Sequence, residues 1–571
     1  MTDVKTPVDD ETGAPVAKPG KPIAWPLGLA GAALLIIGSF LSWSYDKTIL
    51  NDLSINFYPG GLQILAIIGA VLSLVLLLAE KGPLSRLGGW LDATLGLRML
   101  GTGLALYMVL ILIAITTESG GLINVNPGGY VSLVGALVLA AAAWMLPLRQ
   151  LRDMSEARLP GWVEILAIAV LMGAILYAAA YALGLQDAWS FILCLVFIAI
   201  VAVALFRSGA MSWIGHVAQR RKKVLTLAAF VVAFLFPFTQ NGSDANMSIA
   251  NQVLIFGATA MGLNIVVGLA GLLDLGYIAF LGAGSYTAAV LSTSAFATIG
   301  WKPNFLIVVL IGGCVSAILG LIIGTPTLRV SGDYLAIVTL GFGEIFRFSM
   351  GNLDGNNGPN LTNGPNGVPG IPDWKPFGFD FGKDHTFGGF EIGRFSNYYF
   401  VLLLLIGVVI LIFARLNNSR IGRGWVAIRE DEKAAEAMGV NVFGLKLLAF
   451  AVGAFLAGLA GTIKAHQDAA VSPDQYQFLE SAFLLAAIVL GGMGTIAGVL
   501  LGATILKLLP EKLRFFQEYR LLMFGLLLVL MMRFRPEGLV ASRRRQLEFH
   551  DENEELAVEV EEERLAVGEA K

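Results

Sequence analysis

The chain has 571 residues, of which 56% are hydrophobic and only 14% are charged, and its mean hydropathy is +0.73. Ordinary soluble domains are about 25% charged and 45–50% apolar, so this composition excludes a soluble globular fold and indicates a membrane protein. The formal net charge of −3 identifies no partner, and we expect no nucleic-acid partner.

Long, continuously apolar runs recur along the whole sequence. A helix needs roughly 20 apolar residues to cross a hydrocarbon core about 30 Å thick, and its backbone hydrogen bonds are then satisfied within the segment. The sequence therefore predicts an all-α, polytopic membrane protein with about 15–16 transmembrane or re-entrant helices embedded in the lipid bilayer. The predicted spans lie near residues 25–43, 62–79, 97–117, 130–147, 162–183, 189–206, 224–239, 249–270, 276–294, 305–324, 333–350, 399–415, 445–465, 478–509 (split) and 519–534.

Basic residues orient these spans, because Lys and Arg collect in the cytoplasmic loops of membrane proteins. If the N-terminus is cytoplasmic, basic residues accumulate in every inside segment of the first six spans, whereas the outside loops contain only Lys47. We therefore expect residues 1–24 to form a disordered cytoplasmic leader. The loop 351–397, rich in Gly, Asn and Pro, falls outside on this count.

The basic cluster 220–223 predicts a boundary between two membrane regions. We expect an accessory region of about six helices over 25–207, a core over 224–540 and a charged tail over 541–571. The split stretch 478–509 leaves two arrangements open. A break at the glycine-rich residues 491–494 gives two crossings and a cytoplasmic C-terminus, which we favour, and a single crossing places the tail outside.

No catalytic constellation is evident. The four histidines are scattered over different loops and ends, and no phosphate-binding loop of the Walker type occurs. We expect no metal, no cofactor and no enzymatic activity, so any energy from ATP has to come from a partner.

Polar side chains in two apolar stretches are candidates for a substrate pathway, because such groups are costly at membrane depth and mark pathways or buried partners. Glycines nearby also fit simple helix packing. Glu344 is three residues from Arg347, so a self-neutralising ion pair is the alternative for that carboxylate. The candidates are Asn264, Asp274 and Tyr286 in the first stretch and Asp333, Thr339 and Glu344 in the second.

A cytoplasmic stretch, residues 427–439, carries good helix formers and ends in Gly439, a C-cap residue. We call it the docking segment. Ala434, Ala435 and Met438 form an apolar stripe on this short, charged helix, which fits docking into a cleft on a soluble partner. A solvated loop helix is the alternative.

Four stretches stand out, in order, at 264–286, 332–347, 363–372 and 422–439. On these stretches, residues 224–540 resemble the permeases of branched-chain amino acid ABC importers, of the LivM type. The resemblance implies import of leucine, isoleucine and valine across a bacterial inner membrane. It also implies a second related permease, two cytoplasmic ATPase subunits and a periplasmic binding protein as partners.

Permeases of ABC importers carry a loop reading E-A-A, three residues, then G, which contacts the ATPase. Residues 433–439 fit with Lys433 in place of the glutamate, and the neighbouring Glu432 is its candidate substitute. The resemblance thus implies a set of ATPase-docking residues. These are Glu432, Ala434, Ala435, Met438 and Gly439.

Other functions stay open at this point. A related ABC permease for urea or short amides would carry the same segments. An ion-coupled secondary transporter would use Asp274, Asp333 and Glu344, and would have no need of the docking segment. The first 220 residues exceed the pattern of the resemblance and have no assigned role beyond packing beside the core or binding lipid.

Overall fold

A computed structural model describes the chain in segments, and contacts divide the chain after Gln240 into two compact units. The segments are residues 23–46, 50, 53, 57–81, 91–147, 160–292, 301–327, 334–356, 359–513, 519–535 and 537–540. In this part of the chain, ten helices are long and apolar enough to cross a membrane, and two apolar helices are shorter. The prediction of an all-α, multi-pass membrane protein is therefore confirmed.

The first unit contains eight described helices. They are α1 (Ala24–Phe40), α2 (Gly61–Lys81), α3 (Ala93–Ser119), α4 (Pro127–Met145), α5 (Gly161–Gly184), α6 (Ala188–Arg207), α7 (Ala210–Arg220) and α8 (Lys222–Leu235). Helices α1 and α4 approach backbone to backbone, since a Cβ on Gly31 would lie 2.6 Å from the Leu139 nitrogen. Trp43 bridges the two helices by donating from Nε1 to the Gly38 carbonyl of α1 at 2.9 Å and to the Ser132 hydroxyl of α4 at 3.1 Å. Small residues thus set the packing, as in many membrane helices.

A buried carboxylate joins α5 to the junction of α7 and α8. Glu164 accepts from Arg221 at 3.0 Å and from Arg220 at 3.3 Å, and its side chain is 5% exposed. The predicted boundary cluster lies at this junction. Because the division by contacts falls after Gln240, α8 is part of the first unit.

The second unit contains eleven described helices and two small sheets. The helices are α9 (Asp244–Asn264), α10 (Ile278–Ser292), α11 (Phe305–Thr327), α12 (Tyr334–Asn352), α13 (Arg394–Asn417), α14 (Arg420–Glu430), α15 (Glu432–Ala437), α16 (Val442–Asp468), α17 (Phe478–Gly491), α18 (Ile496–Lys512) and α19 (Arg520–Phe534). The strands are β1 (Val368–Pro369), β2 (His385–Phe387), β3 (Phe390–Ile392) and β4 (Ala470–Val471), and β1 pairs with β4 and β2 with β3, both antiparallel. Each predicted span coincides with one of these helices or with a helix of the first unit, except the split stretch 478–509, which corresponds to both α17 and α18.

Helices α10 and α16 cross at glycines. A Cβ on Gly284 would overlap the Gly458 carbonyl oxygen, so neither helix can carry a side chain there. Ser285 donates to the Gly461 carbonyl at 2.8 Å and Thr462 to the Gly284 carbonyl at 3.2 Å. The crossing combines close backbone approach with interhelical hydrogen bonds, the two features that hold membrane helices together.

Helices α17 and α18 form an antiparallel hairpin, which confirms the predicted break at residues 491–494. Lys507 and Glu480 pair at 2.8 Å near its open end. At the tip, the backbone N–H groups of Leu539 and Val540 donate to the carbonyls of Leu490 and Gly491, both at 2.9 Å. These bonds satisfy carbonyls that the end of a helix leaves without partners.

The loop between α12 and α13 is organised by small strands and aromatic contacts. Trp374 stacks on Phe305 at 4.7 Å between ring centroids and packs against Phe381 at 4.8 Å. In the same loop, the Lys375 ammonium and the Gly382 N–H hold the pKa of the Asp380 carboxyl below its usual value.

Candidate functional site

Two of the predicted pathway residues meet where the loop after α9 passes α12. Asp274 is buried, and its Oδ1 accepts from the Gly276 N–H at 2.9 Å. Thr339, also buried, accepts from the Leu275 N–H at 3.1 Å. The second carboxylate oxygen of Asp274 is buried and has no hydrogen-bond partner among the residues that the structure describes. A buried polar atom without a partner is rare and calls for a ligand, a water or a mobile neighbour.

Glycine makes this approach possible. A Cβ on Gly276 would overlap the Thr339 carbonyl oxygen and would lie 3.2 Å from the Gly343 nitrogen. The loop therefore contacts the backbone of α12 directly, and its position is coupled to that of the helix.

Tyr286 lies on α10, on the side of that helix that meets aromatic neighbours. Its ring centroid is 6.2 Å from that of Phe346 and 6.1 Å from that of Tyr476. The hydroxyl is buried and has no hydrogen-bond partner in the described part of the chain. This aromatic cluster offers an apolar wall with one unused polar atom.

Glu344 forms the predicted ion pair with Arg347, at 2.9 Å and with both side chains about three-quarters buried. Its other oxygen accepts from the Phe478 N–H at 3.3 Å, and Arg347 also reaches Asp474 at 3.7 Å. The pair therefore links α12 to the start of the hairpin, and the self-neutralising alternative is confirmed in geometry.

Asn264 lies apart from these residues, at the end of α9. Its Oδ1 accepts from the Gly494 N–H at 2.9 Å and its Nδ2 donates to the Thr495 carbonyl at 3.4 Å. The buried amide thus fastens the tip of the α17–α18 hairpin. Asp333, the remaining pathway candidate, is outside the described residues.

The docking segment is not one continuous helix, as predicted, but is interrupted at Asp431. The Asp431 carboxylate accepts from the backbone N–H groups of Lys433 and Ala434, at 2.9 and 3.0 Å, and so caps α15. Aspartate at a helix N-terminus satisfies donors that have no partner within the helix, which favours a new start over continuation.

Ala435, one of the expected docking residues, is only 5% exposed within the chain. Met438 in contrast is 84% exposed, and Glu432, Ala434 and Gly439 are exposed as well. The helix ends as predicted at Gly439, which has a φ of +82° and donates to the Glu436 carbonyl at 2.9 Å.

Glu432 has a partner within the chain. It pairs with Lys446 of α16 at 2.6 Å, and the Lys446 side chain is only 9% exposed. The start of α15 is thereby anchored to a long membrane helix, while the exposed side of the docking segment is left for contacts.

A family model described as a branched-chain amino acid transport system permease component matches residues 246–532. The chain belongs to this permease family. It is 41% identical over 341 residues to the high-affinity branched-chain amino acid transport system permease protein LivM of Salmonella typhimurium, an alignment that spans 57% of this chain and 77% of that protein. The corresponding protein of Escherichia coli is 40% identical with the same coverage.

Two further permeases match shorter stretches of the chain. The branched-chain amino acid permease protein LivH of Escherichia coli is 30% identical over 142 residues, covering 24% of this chain and 45% of that protein. The fructose import permease FrcC of Rhizobium meliloti is 29% identical over 149 residues, covering 25% and 41%. No solved structure matches the chain. The family match lies within the second unit, and the first unit precedes it.

One further contact was not predicted from the sequence. Arg429, at the end of α14, donates from Nη1 to the Gly268 carbonyl at 3.0 Å. Gly268 belongs to a π-helical turn, Ile265–Leu269, that continues α9. The only signal in the sequence is a glycine-rich stretch after Asn264, and nothing in it specifies which basic residue contacts it.

Proposed function

We propose that the chain is the permease subunit of an ABC importer for the branched-chain amino acids leucine, isoleucine and valine. The observation that carries the proposal is the identity of about 40% over most of the length of two permeases named for that transport system. In this proposal the chain forms the translocation pathway together with a second, related permease. Separate cytoplasmic ATPase subunits drive transport, and a periplasmic binding protein delivers the solute.

The exposed side of the docking segment is our candidate for the ATPase contact. Met438 places a large, flexible apolar side chain in solvent beside the small residues Ala434 and Gly439. Methionine adapts to irregular apolar surfaces and is frequent at binding surfaces of this kind. Ala435 contributes by packing α15 against the rest of the chain rather than by touching the ATPase.

We further propose that Asp274, Thr339, Tyr286 and Glu344 lie along the solute pathway or control it. The support is the burial of three of them on α10, α12 and the loop between α9 and α10, together with the unpartnered oxygen atoms of Asp274 and Tyr286. A zwitterionic amino acid supplies both donors and acceptors for such atoms. Asp333 and Asn264 stay predictions from the sequence alone.

The proposed location is the bacterial inner membrane, with both termini in the cytoplasm. The hairpin of α17 and α18 supports this topology, because two crossings return the chain to the side on which it entered and α19 then brings the C-terminus to the cytoplasm. The distribution of Lys and Arg supports the same orientation. The first membrane region, residues 25–207, is proposed to be an accessory module outside the pathway.

Uptake by the assembled complex tests the substrate assignment. The chain, its companion permease, the ATPases and the binding protein are reconstituted in liposomes with ATP, and radiolabelled leucine, isoleucine, valine, urea and acetamide are compared. We expect ATP-dependent accumulation of the three amino acids. Accumulation of urea or acetamide in their place would refute the substrate class and favour the short-amide alternative.

A further inference from the structure

The loop between the π-helical turn and α10 is held at both ends. We call residues 268–277 the tie segment. At its start, Arg429 of α14 donates to the Gly268 carbonyl at 3.0 Å. At its end, the Leu275 N–H donates to the Thr339 hydroxyl of α12 at 3.1 Å.

The first contact is specific to this backbone conformation. In an α-helix the carbonyl of a residue accepts from the N–H four residues later, whereas a π-helical turn shifts that pattern and is frequent at functional sites. Gly271, with a φ of +72°, turns the chain away beneath the arginine, and a Cβ there would lie 3.1 Å from the Arg429 Cβ. The arginine stem and its guanidinium therefore both rest on the tie segment.

Helix α14 runs into the docking segment, whose residues 427–439 include Arg429 itself. Its Trp425 is fully buried and donates from Nε1 to the Leu445 carbonyl at 2.7 Å. Only Asp431 separates α14 from α15. A displacement of the docking segment consequently moves Arg429 with it.

The second contact transfers the displacement to α12. Gly276 lies directly against the Thr339 carbonyl, with no side chain between them. Asp274 braces the turn by accepting from the Gly276 N–H at 2.9 Å. The apolar side chains of Ile337, Ile345 and Phe348 on this helix are 58–65% exposed, so this face of α12 makes few contacts within the chain.

We propose that the tie segment couples the docking segment to α12, with Arg429 and Thr339 as the two positioning residues. The inference rests on the proposed function, since it takes the docking segment as the place where the ATPase acts. It adds the route by which a displacement caused by nucleotide binding is transmitted to the candidate pathway. Coupling between sites is commonly worth 5–150-fold in an equilibrium constant, which sets the size of effect to expect.

The test compares variants at the two ends of the tie segment in the complete, reconstituted complex. Arg429→Gln removes the charged donor to Gly268, and Thr339→Val removes the hydroxyl at nearly constant volume. Two variants on α14 serve as controls. Arg420→Gln and Arg423→Gln each change an exposed residue near the start of that helix, outside the docking segment.

The principal measurement is leucine accumulated per ATP hydrolysed. We expect Arg429→Gln and Thr339→Val each to lower this ratio at least fivefold while ATPase co-purification is unchanged, and both controls to keep the wild-type ratio. Thr339→Ser should restore it, because the hydroxyl is retained. The double variant should have a ratio no lower than that of the more impaired single variant, since both substitutions act on one linkage. A wild-type ratio in Thr339→Val would overturn the proposal even if Arg429→Gln failed to fold.

A second readout does not depend on the solute. Backbone hydrogen exchange of α12 is measured with and without ATP in wild type and in Arg429→Gln. We expect ATP to change the protection of α12 in wild type only, while α14 responds in both. An unchanged ATP response of α12 in the variant would overturn the inference. If the wild-type complex carried no branched-chain amino acid, the substrate proposal would fail while this readout still decided the coupling.

Discussion

The crossing of α10 and α16 gives a prediction in which two similar substitutions have opposite signs. In Gly284→Ala, the new methyl group overlaps the Gly458 carbonyl oxygen and lies 2.7 Å from the Gly458 Cα. Both obstacles are backbone atoms, so no side-chain rotation relieves the contact and the helices have to separate. Overpacking of this kind costs about 1–3 kcal/mol.

The matched control is Gly341→Ala on α12, where a Cβ would meet no atom within 4 Å among the residues that the structure describes. There the substitution only exchanges glycine for the best helix former, which stabilises a helix interior by about 0.5–1 kcal/mol. The thermal unfolding midpoint in detergent is the assay. A change of 1 kcal/mol shifts the midpoint by about 2–4 °C for 150–250 residues.

We therefore expect Gly284→Ala to lower the midpoint by a few degrees and Gly341→Ala to leave it unchanged or raise it slightly. The interhelical hydrogen bonds of Ser285 and Thr462 would lengthen in the first variant, which adds to the loss. An unfolding midpoint of Gly284→Ala at or above that of wild type would refute the packing argument.

Three further predictions concern other parts of the chain. Glu164→Gln should lower the unfolding free energy by about 1–2 kcal/mol in a denaturant titration, because it leaves two arginines beside a neutral amide. This loss is smaller than that expected for a fully buried ion pair, since both arginine side chains are over a third exposed. An unchanged titration midpoint would contradict it. Met438→Asp should reduce ATPase co-purification about tenfold with no change in thermal stability, because the side chain is 84% exposed; equal co-purification would remove Met438 from the docking surface. Deleting residues 26–206 should leave co-purification of the companion permease largely intact, and loss of that subunit at normal expression would show that the first region takes part in assembly.

Much of the fold was predictable because the bilayer restricts the chain so strongly. Apolar runs of the right length have to become helices, and the glycine-rich break between α17 and α18 was visible for the same reason. The i,i+3 pair of Glu344 and Arg347 followed from helix geometry alone.

The docking segment shows where such reasoning fails. Its helix propensity is high throughout, yet Asp431 interrupts it, because a carboxylate that caps two N–H groups outweighs a small preference for continuing the helix. The start of α15 rests on α16 through Glu432 and Lys446, a tertiary contact that a helical pattern does not encode.

The candidate site was only partly predictable for a similar reason. Residue type at membrane depth pointed to Asp274 and Thr339, which the structure places close together. It did not distinguish them from Asn264, whose amide fastens the hairpin tip instead. A polar side chain at membrane depth is expected to have a polar partner, but which residue that partner is depends on the long-range packing of the chain.

The central claim is that this chain is a permease driven by partner ATPases rather than a carrier that works alone. Leucine uptake into liposomes tests it most directly, with the purified chain alone under an imposed proton or sodium gradient compared with the complete complex supplied with ATP. We predict uptake only for the complete complex with ATP. Sustained leucine accumulation by the chain alone under an ion gradient would contradict the account.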